Sequence, residues 1–219
     1  MRIVQLDKET KKNILSDLLK RDPNQYGEYE ATVKEIVENV RQNGDEALKE
    51  YTLQFDHTEL DTRKMLVSDD EIAEAESLVD PELKQVMQKS LENIRNYHKK
   101  QLRTSWFDAQ PNGTILGQKV TPLTRVGVYV PGGKAAYPST VLMNIVPASV
   151  AGVPEIVMVT PPGKDGKVNP VTLTAAKMAG ATKIYKVGGA QAIAALAFGT
   201  ATVPKVDKIV GPGNIFVAL

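Results

Sequence analysis

Three glycine-bearing turns, each directly after a run of apolar β-branched residues, are where this sequence could hold a ligand. Tyr129-Val130-Pro131-Gly132-Gly133 is the first, Gly188-Gly189-Ala190-Gln191 the second and Gly211-Pro212-Gly213-Asn214 the third. Glycine lets backbone approach a ligand closely, and a helix opening behind it presents free N–H groups to an anion. Tyr129 offers a ring for stacking and a hydroxyl, while Gln191 and Asn214 offer amides that both donate and accept. Each turn also has an ordinary use: a plain strand–turn–helix, a surface glutamine on a small-residue helix, and an N-cap by Asn214 for a helix from Ile215, the role favoured locally. Three such turns in register along one sheet edge say more than any one of them. The chain has no G-x-G-x-x-G fingerprint and no phosphate-binding P-loop. Glu155 lies 22 residues beyond Gly133, the spacing of a ribose-binding acid, but without a fingerprint before it reads as a charge at a strand start.

Other chemistry is scarce. The 219 residues include no Cys, which excludes disulfides, thiolate metal sites and Cys nucleophiles and fits a reducing cytoplasm. His57 and His98 are the two histidines, too few for a multi-His metal site, and each reads as a helix-end or surface residue. Lys99-Lys100 reads as a solvated helix end, and Lys134 is the one cation next to the glycine turns, so any pyrophosphate would be drawn by backbone amides. The formal charge of +1 gives no reason to expect nucleic acid, no apolar run approaches membrane-spanning length, and the charged start MRIVQLDKETKK is not a signal peptide.

The elements that must position these turns follow from a change in composition near Pro122. Residues 1–120 carry 18 basic and 23 acidic side chains; residues 121–219 carry 9 and 3, with 12 of the 16 glycines and 10 of the 13 prolines. The first region reads as helices with solvated faces. Tyr29, Val33, Ile36, Val37 and Val40 form one apolar stripe, and Ser68-Asp-Asp-Glu71 is a capping box. Asp80-Pro81 opens a longer helix with Leu83, Val86, Met87, Leu91, Ile94 and Tyr97 on its buried face. Pro111-Asn112-Gly113 predicts the turn of a β-hairpin within about 105–120. The second region alternates strands at Val126–Val130, Ile156–Thr160, Lys183–Val187 and Lys208–Val210 with helices at about 138–150, 168–179 and 190–199. That pattern predicts a parallel α/β sheet covered by helices on both faces, with the glycine turns along one edge.

The ordered set of turns resembles the histidinol dehydrogenase family. The resemblance rests on Val126-Gly-Val-Tyr-Val-Pro-Gly-Gly133, Ser139-Thr-Val-Leu-Met143, Val187 through Thr200 and Val203 through Asn214, with Asn43 through Tyr51 and Phe55-Asp56 upstream. It implies an incomplete Rossmann-like fold and a zinc- and NAD-dependent enzyme oxidising L-histidinol through L-histidinaldehyde to L-histidine. It further implies that Tyr129, Gln191 and Asn214 contact NAD. Apart from the resemblance, the absence of Cys fits the cytoplasm, the charge and short apolar runs predict no nucleic-acid or membrane partner, and an apolar helix start at Ile215–Leu219 with few partners predicts a homo-oligomer. The family's zinc ligands (a Gln, two His and an Asp) and its Glu-His acid/base pair match nothing in the chain, which stops at Leu219. The expectation is therefore an NAD-side half, inactive alone, with no catalytic or metal residue of its own. The competing expectation is a non-catalytic, truncated α/β module that binds a nucleotide weakly or only associates with itself.

Overall fold

The structure, a computed structural model, describes residues 7–19, 27–132 and 136–219. The helical region runs through α1 (Lys8–Leu19), α2 (Gly27–Asn43), α3 (Asp45–Tyr51), a π-helical turn (Thr52–Asp56), α4 (Asp69–Leu78) and α5 (Pro81–Lys99). Its starts are chemically marked. The Ser68 hydroxyl accepts from the Glu71 N–H while the Glu71 carboxylate accepts from the Ser68 N–H, and the Asp80 carboxylate accepts from Glu82 N–H ahead of Pro81 at N1.

The expected apolar stripes hold in part. Val33, Ile36 and Val40 are buried on α2, but Tyr29 is 41% exposed at its outer turn. On α5, Met87 and Leu91 are buried with Leu83 and Ile94 partly so, whereas Val86 and Tyr97 are exposed. At about 100° per residue, Leu83, Met87, Leu91 and Ile94 fall on one strip facing α6, and Val86 and Tyr97 fall on its flank. The hairpin forms as β1 (Trp106–Ala109) against β2 (Ile115–Gln118), with Gly113 N–H donating to the Gln110 carbonyl across the turn. All eight of its strand residues are exposed.

The second region is a four-stranded parallel sheet of order β5-β4-β3-β6, from β3 (Arg125–Tyr129), β4 (Glu155–Thr160), β5 (Lys183–Lys186) and β6 (Lys208–Val210). The crossovers are α6 (Pro138–Val150), α7 (Pro170–Ala179) and α8 (Gly189–Phe198), as the apolar alternation predicts. Side chains alternate across the sheet with the period of a strand. Val126, Val128, Ile156 and Met158 pack with α5, α6 and α7, while Tyr129, Val157, Val159 and Tyr185 pack with α2, α3 and α8. Both faces are therefore covered, and the fold is α/β of incomplete Rossmann type. β3, β4 and β5 build outward in one direction and β6 returns to the other side of β3. The order therefore switches between β3 and β6, where open α/β sheets place their ligands.

The last helix, α9 (Ile215–Ala218), departs from expectation. Phe216 and Val217 are partly buried against the α2–α8 core, and Tyr29 meets the Phe216 ring edge-on with centroids 5.2 Å apart. The aromatic Tyr29, which the apolar stripe assigned to the core, instead caps this helix from outside. No described helix is long and apolar enough to cross a membrane.

Candidate functional site

A cleft of about 1400 Å³ opens at the carboxyl ends of the strands, across the switch point. The loop after β3 brings Tyr129, Pro131 and Gly132, the loop after β4 brings Pro161 to Lys164, the start of α8 brings Gly189 to Gln191, and the loop after β6 brings Pro212 to Asn214. The helical region closes the other side with Tyr29, Thr32 and Ile36 from α2 and Phe55, Asp56 and His57 after α3. Gly133 and Lys134, also expected here, lie outside the described residues.

The turns are glycine-bearing because they meet. A Cβ at Gly132 would stand 2.4 Å from Pro161 Cγ, and one at Gly188 2.5 Å from Pro161 Cβ, so Pro161 is seated between two strand ends with no room for a methyl group. This clamp sets the spacing of three loops along the edge.

Tyr129, Gln191 and Asn214 all line this one cleft. Tyr129 is 5% exposed, and its hydroxyl accepts the Gly189 N–H at 3.3 Å. Burial, together with the nearby Asp56 charge, raises its pKa despite that hydrogen bond, so the phenol stays protonated and its O–H remains a donor. Gln191 is 1% exposed in the first turn of α8, yet neither its Oε1 nor its Nε2 has a hydrogen-bond partner. A buried amide without partners costs about 1–3 kcal/mol, so its retention calls for a reason. Asn214 performs the N-cap its position suggested, its Oδ1 accepting from Phe216 and Val217 N–H at 3.1 and 3.3 Å. That leaves the donor end of its amide for the cleft.

Asp56 and His57, set aside or unread at the sequence level, also belong to the lining. His57 adopts a left-handed conformation with φ 55° directly after the π-helical turn. The Asp56 carboxyl is driven up to about 6 by burial, with the neighbouring His57 charge pulling the other way. The residue pair Phe55-Asp56 was legible only as a family resemblance; periodicity gives no signal for a π-helical turn. Tyr51 backs the Phe55 ring, stacked nearly parallel at 5.7 Å, giving the cleft an aromatic wall. His98, by contrast, is a surface residue at the end of α5, 2.6 Å from Gln101 Oε1 through Nδ1.

Glu155 has the role its position suggested. It opens β4 and pairs with Arg125 at 2.6 Å and Lys183 at 3.0 Å, the first residues of β3 and β5, at the sheet edge away from the cleft. Among the described residues, no group of three or more His, Cys, Asp or Glu stands together to hold a metal ion.

The sequence profile of the histidinol dehydrogenase family matches residues 19–219. Histidinol dehydrogenase of Bacillus subtilis (strain 168) is 57% identical over 192 residues, covering 88% of this chain and 44% of the relative. Histidinol dehydrogenase of Clostridium acetobutylicum is 52% identical across 100% of this chain and 50% of its own length. A crystal structure of histidinol dehydrogenase from Elizabethkingia anophelis superposes with a TM-score of 0.81 at 40% identity, covering 86% of this chain and 43% of that one. The chain thus spans about half the length of the relatives it matches, and it belongs to the histidinol dehydrogenase family.

Proposed function

We propose that this chain forms the NAD-holding side of a histidinol dehydrogenase, with Tyr129, Gln191 and Asn214 as the cofactor contacts. The observation that carries the reading is Gln191, a fully buried amide with both ends unpartnered in the wall of a cleft at the sheet's switch point. A carboxamide or pyrophosphate-linked ribose in the cleft would satisfy it. The Tyr129 ring and the Phe55 wall suit a stacked base, and the first-turn N–H groups of Ala190 and Gln191 on α8 suit a phosphate. NAD held here would supply the hydride acceptor, one molecule for histidinol to histidinaldehyde and a second for the hydrated aldehyde to histidine. The residues here bind and orient the cofactor and exclude water from it. The same reading divides the chain into a helical part (1–120) and a Rossmann-like part (121–219).

Zinc does not fit the described residues, among which no three His, Cys, Asp or Glu side chains stand together to ligate it. The substrate contacts and acid/base groups of the reaction belong, in this reading, to sequence beyond the match, and the chain alone is expected to be inactive. The exposed hairpin, with Trp106, Phe107, Ile115 and Leu116 all more than half exposed, supports a homo-oligomer. A monomer by light scattering at high concentration would contradict that part.

Calorimetric titration of NAD into the purified chain tests the cofactor assignment. Half a site should bind near millimolar, about −4 kcal/mol. Gln191→Met and Asn214→Ala should each weaken it several-fold. Unchanged binding in both variants would remove the assignment, and NADH formed from histidinol by the chain alone would overturn the inactivity.

A further inference from the structure

A dinucleotide site on this kind of sheet ordinarily takes a carboxylate from the end of the second strand to receive a ribose hydroxyl. Here that position cannot supply one. β4 ends at Thr160-Pro161, and the acid at the right sequence distance, Glu155, is held by Arg125 and Lys183 at the strand's opposite end. We infer that Asp56, delivered from the helical region, is the ribose-binding acid of this site, accepting the hydroxyl groups of a ribose diol. The inference rests on the nucleotide reading above and adds to it a residue and a role.

Four features of the molecule support it. Asp56 is the carboxylate that lines the cleft among the described residues. Its Oδ2 is buried and has no hydrogen-bond partner. Its turn is built to hold it there: the π-helical turn ends on Asp56, and His57 reverses the chain in the left-handed region, a conformation a non-glycine residue keeps where its surroundings impose it. Thr58 Oγ1 then donates to the Gly163 carbonyl at 3.0 Å, pinning the turn to the loop after β4. The carboxyl group is thereby held on the wall shared with Tyr129, whose O–H its charge already disfavours ionising.

The ionisation state agrees with the role. Burial lifts the Asp56 pKa to about 6, and the acceptor form is the ionised one. The other titratable groups around the cleft are His57 on the same turn, Tyr29 on α2, Tyr129 on β3, Tyr137 before α6 and Lys164 after β4. Of these, the His57 charge favours the carboxylate, against the burial that raises it. Affinity for a ribose should therefore fall as pH drops through about 6.

The test uses NAD and two analogues, one deoxygenated at the adenosine ribose and one at the nicotinamide ribose, titrated into the chain and into Asp56→Asn between pH 5 and 8. The unmodified chain should bind NAD with an affinity that declines below pH 6, and should bind one of the analogues about tenfold more weakly. Asp56→Asn should weaken NAD about tenfold, lose the pH dependence and no longer distinguish that analogue from NAD. The analogue that fails identifies the ribose. Removing a buried charge leaves Asp56→Asn at least as stable, and Asp56→Ser should give the same pattern. If both variants bind NAD as the unmodified chain does, or still discriminate the same analogue, the ribose assignment is wrong while the cofactor reading stands. If the unmodified chain binds none of the three nucleotides, the cofactor reading fails and the assignment with it.

Discussion

The two ends of the same four strands are built on opposite terms. At their amino ends charge is neutralised: Glu155 bridges Arg125 and Lys183, the Asp207 carboxylate accepts from Thr124 and Arg125 N–H at 2.9 Å each, and Arg125 donates to the Lys205 carbonyl. At their carboxyl ends polar groups are buried and left waiting. Gln191 has no partner at either end, one Asp56 oxygen has none, and three loops are packed too tightly around Pro161 to admit a side chain. Charge pairing accounts for the first edge, while nothing of the kind is present for Gln191 at the second. On this contrast rests the proposal that the carboxyl edge is the ligand edge.

The largest expected effect sharpens where the strand ends must meet. Gly211 has φ 138°, and a Cβ there would stand 2.1 Å from the Tyr129 carbonyl oxygen. Gly211→Ala should cost more than about 2 kcal/mol, read as a lower urea midpoint, because backbone cannot yield as a side chain does.

Next is a substitution that should stabilise. Gln191→Met keeps the volume and removes an unsatisfied amide, so the melting temperature should rise by about 2–4 °C per kcal/mol recovered, with roughly 1–2 kcal/mol available. A fall would mean that the amide has a structural partner, and the contrast between the two edges would break.

The opposite edge should answer in the opposite direction, and less strongly. Glu155→Gln should lower stability by about 1 kcal/mol near neutral pH. Burial raises the Glu155 pKa, but hydrogen bonds from Lys183 and Arg125 outweigh it and hold the group below its ordinary 4.5. A depressed carboxyl stabilises above its unfolded value and loses that contribution as pH falls through the folded one. The gap between variant and parent should accordingly narrow as pH falls below the ordinary 4.5, as thermal melts across pH would show.

The smallest effect is Asp56→Asn, with the reverse pH sense. A carboxyl raised from 3.8 to about 6 favours folding when protonated, so its stabilising contribution is complete below 3.8 and gone above about 6. The variant should therefore melt slightly higher than the parent at pH 7.5 and no higher at pH 4. Half-exposure keeps the difference small.

Much of this was legible in the residues. The Ser68–Glu71 capping box, the Asp80-Pro81 helix start, the hairpin turn and the alternation of strands and helices are local signals, and local signals survive folding. Glu155 as a strand-start charge, Asn214 as an N-cap and the meeting of three glycine turns at one edge followed from spacing and handedness. The burial of Gln191 did not, because a small-residue helix gives no sign of which face the sheet will take. Tyr29, Val86 and Tyr97 were misplaced because an apolar residue on the flank of a stripe cannot be told from one at its centre. Asp56 and His57 were invisible as site residues since a π-helical turn has no periodicity, and the segment reaches the cleft only through tertiary packing of α2 and α3 on α8.

The central claim is that the carboxyl edge is the ligand edge and that Gln191 is its waiting partner. Side-chain and backbone ¹H–¹⁵N resonances of the labelled chain, followed during addition of millimolar NAD, test it most directly. The account predicts that the Gln191 side-chain amide shifts together with the backbone N–H groups of Gly189 and Gly213, while those of Arg125, Glu155 and Lys183 stay in place. Shifts centred on the amino edge, or a Gln191 amide indifferent to saturating NAD, would contradict it.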